Sequence, residues 1–155
     1  MKTLVIGLGN PILGDDGVGW RVAEEVAKLT SGRPGLQVDC FALGGLSLME
    51  QMTGYGRAIL IDSIHTRTKP IGTVSVFPMT DLPDPTSGHT TAAHDTSLRN
   101  ALSIGRSMNI PLPEDKDVMV VAIEAEAVYD FSEQLTPPVE AAVPLAVQAV
   151  LNLLD

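Results

Sequence analysis

The sequence predicts an α/β fold: a three-layer sandwich in which helices cover both faces of a mixed, mostly parallel sheet of about five strands. Apolar runs rich in strand-forming residues alternate with segments whose apolar residues recur at helical spacing, a pattern typical of this layering. The five strand-like runs are Thr3–Ile6, Leu36–Phe41, Arg57–Ile61, Thr73–Phe77 and Val118–Ile123. A chain of 155 residues can bury one substantial core, so we expect a single domain over residues 1–155.

The first strand and helix follow from the first thirty residues. Thr3–Ile6 is a short apolar run of the kind that a buried parallel strand needs. The glycines after it allow a sharp turn. The helix that follows is predicted to bury one face, formed by Val18, Val22, Val26 and Leu29.

Two strand-like runs follow each other too closely for a helix to fit between them. They are Arg57–Ile61 and Thr73–Phe77, and we expect them to be antiparallel neighbours. This pair makes the predicted sheet mixed.

Three more helices are expected. A short one spans Leu46 to Met52, and another begins near His94 or Asp95 and runs to about Met108. In the last helix Thr136 is the expected N-cap, Pro137 the first residue, and Pro144 the position of a kink or a shifted start. Its apolar stripe is Val139, Ala142, Val143, Ala146, Val147, Val150, Leu151 and Leu154. The aperiodic stretch from Pro78 to Ala93 is expected to be a long surface loop, either functional or a connector.

Composition excludes several classes of function. The net charge is −9, from 10 basic and 19 acidic residues, which argues against unaided binding of nucleic acid. Cys40 is the one cysteine, so an intrachain disulfide is excluded, and we expect it to be an inert core residue. No apolar run approaches the roughly 20 residues of a membrane span, and no secretory leader is evident, so we expect a cytoplasmic protein without membrane insertion.

Polar side chains that suit a metal follow the predicted strands. Asp15 and Asp16 follow the first strand, Asp62 follows the third, and His94 opens a helix. Open α/β sheets bind ligands beyond the carboxyl ends of their strands, so these side chains are expected to converge there. Two carboxylates and an imidazole suit zinc or nickel with positions left open.

Each of these residues has a simpler interpretation. Asp15 or Asp16, with Asp15 the better placed, caps the first helix in one reading. Asp62 then only stabilises a turn at the end of its strand. His65 and His89 compete with His94, and spacing does not separate them.

The combination of motifs resembles the hydrogenase maturation endopeptidases, over essentially the whole chain. The motifs are Gly7-Leu8-Gly9-Asn10, Asp15-Asp16-Gly17-Val18-Gly19, Ala42-Leu43-Gly44-Gly45-Leu46, Leu60-Ile61-Asp62-Ser63-Ile64, Ala93-His94-Asp95-Thr96-Ser97-Leu98 and Leu135-Thr136-Pro137-Pro138-Val139-Glu140. The chain departs from the family at Glu124, which is followed by Ala125 where many relatives have proline.

The resemblance implies a protease that removes a short C-terminal peptide from the precursor of a nickel–iron hydrogenase large subunit. By motif position it implies that Asp16, Asp62 and His94 bind metal, and it selects His94 over the other histidines. The expected metal is nickel carried by the substrate, which acts as a checkpoint, although other divalent metals also fit the site. A monomer is expected.

The resemblance leaves the cleavage chemistry open. Either the metal polarises the scissile carbonyl or activates a bound water, or Asp16 or Asp62 acts catalytically as a general base.

Two rival functions compete with this interpretation. One is a dinucleotide-binding domain using Gly7, Gly9 and Asp39, although the third glycine comes late and two carboxylates would face the phosphates. The other is a nickel-sensing or hydrogenase-docking module that binds the precursor without cutting it.

Overall fold

The structure, a computed structural model, describes residues 1–81, 93–126 and 131–155, and for residues 93–97 it describes the backbone only. Helices and strands alternate along these residues, except that the fourth strand follows the third directly. In chain order they are β1 Thr3–Leu8, α1 Val18–Leu29, β2 Leu36–Phe41, α2 Gly45–Gln51, β3 Arg57–Ile64, β4 Val74–Pro78, α3 Ala93–Ser107, β5 Val118–Glu124 and α4 Pro137–Leu154.

The strands form one mixed sheet in the order β2-β1-β3-β5-β4. β1, β2, β3 and β5 are parallel, and β4 runs antiparallel to β5 at the edge. The predicted mixed α/β sandwich is therefore confirmed. The predicted pairing of the third and fourth strands is wrong, because β5 lies between them. The last strand of the chain enters the sheet beside β3, and β4 keeps the predicted antiparallel direction with a different partner.

Two apolar cores lie on opposite faces of the sheet, because side chains alternate along each strand. One core contains Leu60 of β3 with side chains of α2 and α3, including Leu48 and Leu102. The other contains Ile59 and Ile61 of β3 with side chains of α1 and α4. In α1 the face formed by Val18, Val22 and Val26 is fully buried as predicted, but Leu29 is 64% exposed because it lies in the last turn.

Helix α1 starts unusually close to the carboxyl ends of β1 and β3. A Cβ atom added at Gly19 would overlap the carbonyl oxygens of Leu8 and Ile61, so only glycine fits there. This contact holds the β1–α1 connection, which carries two carboxylates, against the end of the sheet.

Helix α4 begins where the sequence predicted. Thr136 is the N-cap and Pro137 the first residue, and the helix continues through Pro144 to Leu154 without the shifted start considered above. Its 18 residues have a mean hydropathy of 1.3, so by length and composition it could cross a membrane, contrary to the expectation that no run approaches that length. In the fold the side chains of Val139, Ala142, Ala146, Val147 and Val150 are buried in the second core.

The predicted loop from Pro78 to Ala93 is shorter than expected at both ends. Pro78 ends β4, Met79–Asp81 form a 3-10 turn, and Ala93 begins α3. Residues 82–92 lie outside the described part of the chain.

Candidate functional site

The two carboxylates of the β1–α1 connection lie in one 3-10 turn, Gly14–Gly17, but have different surroundings. Asp15 is 2% exposed, whereas Asp16 is half-buried. Each oxygen of Asp16 accepts one hydrogen bond: the backbone N–H of Asn10 donates to Oδ2 at 2.8 Å, and the Ser63 hydroxyl donates to Oδ1 at 3.3 Å. The carboxylate of Asp16 is thus held between the ends of β1 and β3.

Gly9 makes this arrangement possible. Its φ of +121° lies in a region that side chains disfavour, and a Cβ atom there would overlap the carbonyl oxygen of Asp16. The chain therefore passes directly beside the turn that carries Asp16. This close approach lets the Asn10 N–H reach the carboxylate.

Asp62 lies near the end of β3 and is 2% exposed. The backbone N–H of Ser63 donates to its Oδ1 at 2.8 Å. Alternation along β3 puts Asp62 on the same face as Leu60 and Ile64, which belong to the core under α2 and α3. The strand end thus brings Asp62 to the edge where Ser63 contacts Asp16.

His94 is the second residue of α3, and its side chain lies outside the described part of the structure. The far end of α3 lies at the amino edge of the sheet, where Gly54 N–H donates to the carbonyl of Pro111. A 15-residue helix is about 22 Å long, so its first turn lies well away from this far end. Helix α3 also covers the face on which Asp62 lies.

The rival histidine His65 follows β3 directly, but both its ring nitrogens have protein partners. Nδ1 lies 2.9 Å from the carbonyl oxygen of Ala125, and Nε2 accepts a hydrogen bond from Arg67 Nε at 3.0 Å. A metal at His65 would have to replace one of these bonds. The other rival, His89, lies outside the described residues.

Asp15 does not cap α1, contrary to the simpler interpretation of the sequence. The N-cap of α1 is Gly17, and no side chain caps it. Asp15 instead accepts two hydrogen bonds from Thr136, the backbone N–H to Oδ1 and the hydroxyl to Oδ2, both at 2.7 Å. The carboxylate is therefore used in a tertiary contact with the start of α4. Capping by Asp16 is excluded as well, because its carboxylate is held by Asn10 and Ser63.

A third buried carboxylate, Glu124, was not singled out as a candidate. It ends β5, is 1% exposed, and accepts hydrogen bonds from the hydroxyl of Thr66 at 2.6 Å and from the N–H groups of Thr66 and Arg67 at 2.9 and 3.4 Å. The next residue, Ala125, forms a backbone hydrogen bond to the end of β3: its N–H donates to the carbonyl of Ile64 at 2.9 Å. A proline at position 125 would lack that donor.

Cys40 is half-buried in β2 rather than a full core residue. Burial, with smaller contributions from the carboxylates of Glu24 and Asp39, raises the pKa of its thiol to about 11. The thiol is therefore protonated at neutral pH, which is consistent with an inert role.

No group of three or more histidine, cysteine, aspartate or glutamate side chains is close enough to hold a metal within the part of the structure whose side chains are described. The His94 side chain lies outside that part, so the set of Asp16, Asp62 and His94 stays a prediction. What the described residues provide is a carboxylate pair at one sheet edge, one half-buried and one buried, linked through Ser63.

Comparison with known proteins adds three findings. A family model described as "Hydrogenase maturation protease" matches residues 20–153, a range that includes Asp62 and His94 and begins after Asp16. The "Hydrogenase expression/formation protein HupD" of Rhizobium leguminosarum bv. viciae is 26% identical over 153 residues, covering 99% of this chain and 74% of the relative.

Solved structures show the same fold at low identity. A [NiFe] hydrogenase maturation protease HybD from Thermococcus kodakarensis is 22% identical with a TM-score of 0.77, and the similarity covers 100% of both chains. The hydrogenase maturating endopeptidase HybD from E. coli is 24% identical with a TM-score of 0.76, covering 99% of this chain and 92% of that one. These structures have the fold described above.

Proposed function

Because the chain belongs to the hydrogenase maturation protease family, we propose that Asp16, Asp62 and His94 form the site at which it recognises and cuts its substrate. The chain is an endopeptidase of this family, whose known role is C-terminal processing of the hydrogenase large subunit. The proposal concerns which residues perform that task and how they identify a precursor that is ready to be cut.

The hydrogen bond from Ser63 to Asp16 carries the proposal. Asp16 and Ser63 are 47 positions apart in the chain, and Ser63 directly follows Asp62. A contact between them therefore supports a site shared by the ends of β1 and β3, where open α/β sheets bind ligands.

The substrate is a large-subunit precursor already carrying nickel, which is recognised as part of the substrate. Two carboxylate oxygens and one imidazole nitrogen are acceptable ligands for nickel, and three ligands leave coordination positions for groups of the precursor. A metal held mainly by the precursor reports that loading is complete. A site that bound free nickel tightly could not make that distinction.

Asp16 is the better candidate for general base, because it is half-buried and a water molecule can approach it, whereas Asp62 is 2% exposed. In this scheme the Asp16 carboxylate takes a proton from water as the water oxygen attacks the scissile carbonyl. The same proton then passes to the departing amine, so that the bond breaks into a new carboxyl end and a free peptide. Nickel on the precursor polarises the carbonyl in the alternative route.

The proposal also covers where the protein acts and with which partners. The chain acts in the cytoplasm as a monomer, without nucleic acid as a partner and without membrane insertion. Its net charge of −9 supports the absence of nucleic acid as a partner, since phosphate backbones repel acidic surfaces.

The test is to incubate the purified protein with a nickel-loaded large-subunit precursor and measure the precursor's mass. Wild-type protein should remove a C-terminal peptide, and Asp16→Asn, Asp62→Asn and His94→Ala should each lower the rate by about 100-fold or more while remaining folded. Asp117→Asn is the matched control, because Asp117 precedes β5 at the opposite edge of the sheet. Stable binding of the precursor by wild-type protein without any change of mass would instead support the docking module.

A further inference from the structure

We propose that Asp15 and Thr136 form a positioning pair, which holds the turn bearing Asp16 at the place that cleavage requires. The proposal rests on the proposed role of Asp16. It gives a function to the Leu135-Thr136-Pro137 motif, which lies far along the chain from the other site residues.

The contact between Asp15 and Thr136 uses both oxygens of a buried carboxylate. Asp15 is 2% exposed, and both its oxygens accept hydrogen bonds from the same residue at 2.7 Å. Burying a carboxylate is costly unless it is well paired, so this geometry matters to the fold. Thr136 is the N-cap of α4, yet its hydroxyl makes no capping bond to its own helix and donates to Asp15 instead.

Two further hydrogen bonds join the same two segments. The N–H of Ser132 donates to the carbonyl of Ile12 at 2.8 Å, and the N–H of Gly14 donates to the carbonyl of Ser132 at 2.7 Å. The β1–α1 connection is therefore anchored to the segment before α4 immediately ahead of Asp16. On the other side, Asp16 itself contacts Asn10 and Ser63.

Gly9 and Pro11 approach the turn closely, and a cavity of about 190 Å³ also lies against it. Gly14 and Gly17 of the turn line this cavity together with Leu135. The hydrogen bonds from Thr136 and those to and from Ser132 therefore add to this packing in fixing the position of the turn. A shift of about 1 Å in a reacting group can lower the rate by about 100-fold.

The test compares two variants of Thr136 with a matched threonine elsewhere. Thr136→Val removes the hydroxyl with little change of shape, whereas Thr136→Ser keeps a hydroxyl at this position. Thr30→Val is the control, because the Thr30 hydroxyl also donates at 2.7 Å, to the carbonyl of Val26 at the far end of α1. Processing of a nickel-loaded precursor is followed by mass, and exchange of the Gly14 and Asp16 amides is followed by NMR.

We expect Thr136→Val to lower kcat by about 10- to 100-fold with little change in KM, and Thr136→Ser to recover most of it. The Gly14 and Asp16 amides should exchange about five- to tenfold faster in Thr136→Val and at wild-type rates in Thr30→Val. A wild-type kcat in Thr136→Val, an equal loss in Thr30→Val, or unchanged amide exchange would overturn the pair. Should Thr136→Val not fold, Asp15→Asn replaces it, with the same expected loss of kcat, little change in KM and faster amide exchange.

Asp16→Asn separates this inference from the proposed function. An inactive Asp16→Asn beside a fully active Thr136→Val overturns the positioning role alone. A fully active Asp16→Asn overturns the proposed site, and the positioning role with it.

Discussion

The hydroxyl of Ser63 lies 3.3 Å from Oδ1 of Asp16 and joins the ends of two parallel strands through one hydrogen bond. Ser63 also donates its backbone N–H to Asp62, so a single residue contacts both candidate carboxylates. This shared partner supports the proposal that the two aspartates, from separate parts of the chain, belong to one site.

Gly9→Ala should destabilise the protein and abolish processing. The substitution forces a side chain into a positive φ and against the carbonyl of Asp16, so the turn must move. Strain of this kind costs about 1–3 kcal/mol, and the overlap adds to it. Urea unfolding measures the stability, and the precursor assay is run at a temperature where the variant is folded.

Gly32→Ala is the control for that experiment, because Gly32 also has a positive φ of +80° but nothing lies within 4 Å of an added Cβ. It should lose about 1 kcal/mol of stability and keep full activity. Equal activities of the two variants would contradict the role given to Gly9.

Glu124→Gln should lower the free energy of unfolding by about 1–3 kcal/mol, because an amide cannot accept all the bonds that Thr66 and Arg67 donate. Glu126→Gln, two residues later and exposed, should change it by no more than about 0.5 kcal/mol. Denaturant unfolding of both variants makes the comparison. Similar stabilities would show that the buried carboxylate contributes little.

Cys40 should react slowly with iodoacetamide, and its alkylation should not inactivate the enzyme. Burial raises its pKa above the usual value to about 11, so less of the thiol is ionised at any pH below 11. At pH 8 the rate should be at least about tenfold below that of a free cysteine, and it should rise as the pH approaches 11. Rapid inactivation at neutral pH would contradict this.

His94→Ala should stop processing, whereas His65→Ala should retain it. The ring of His65 is bound to Ala125 and Arg67, so its loss should loosen the loop after β3 at a cost of about 1 kcal/mol. Mass measurement of the precursor and thermal unfolding distinguish the two effects. An inactive but stable His65→Ala beside an active His94→Ala would reverse the assignment.

The sequence was sufficient for the strands and helices, because each carries its own periodicity. The bounds of β2 were predicted to the residue, and α4 started at Pro137 as expected. Strand neighbours were harder to predict, because pairing depends on residues far apart in the chain. Nothing near Thr73–Phe77 indicated that the last strand would lie between β4 and β3.

The same limit applies to the candidate site. Asp15 and Asp16 are adjacent in the sequence, yet one is bound to Thr136, 121 positions away, and the other to Ser63. Local pattern could not separate these roles, since they depend on tertiary contacts. A role for Ser63 could have been predicted from the sequence, because Ser63 follows Asp62 inside the motif Leu60-Ile61-Asp62-Ser63-Ile64.

We propose that cleavage depends on nickel carried by the precursor and bound by Asp16 and its partners. The most direct measurement compares the mass of one large-subunit precursor, prepared with and without nickel, after incubation with wild-type protein and with Asp16→Asn. We expect loss of a C-terminal peptide only from the nickel-loaded precursor and only with the wild-type protein. Equal cleavage of nickel-free precursor, or full activity of Asp16→Asn, would contradict it.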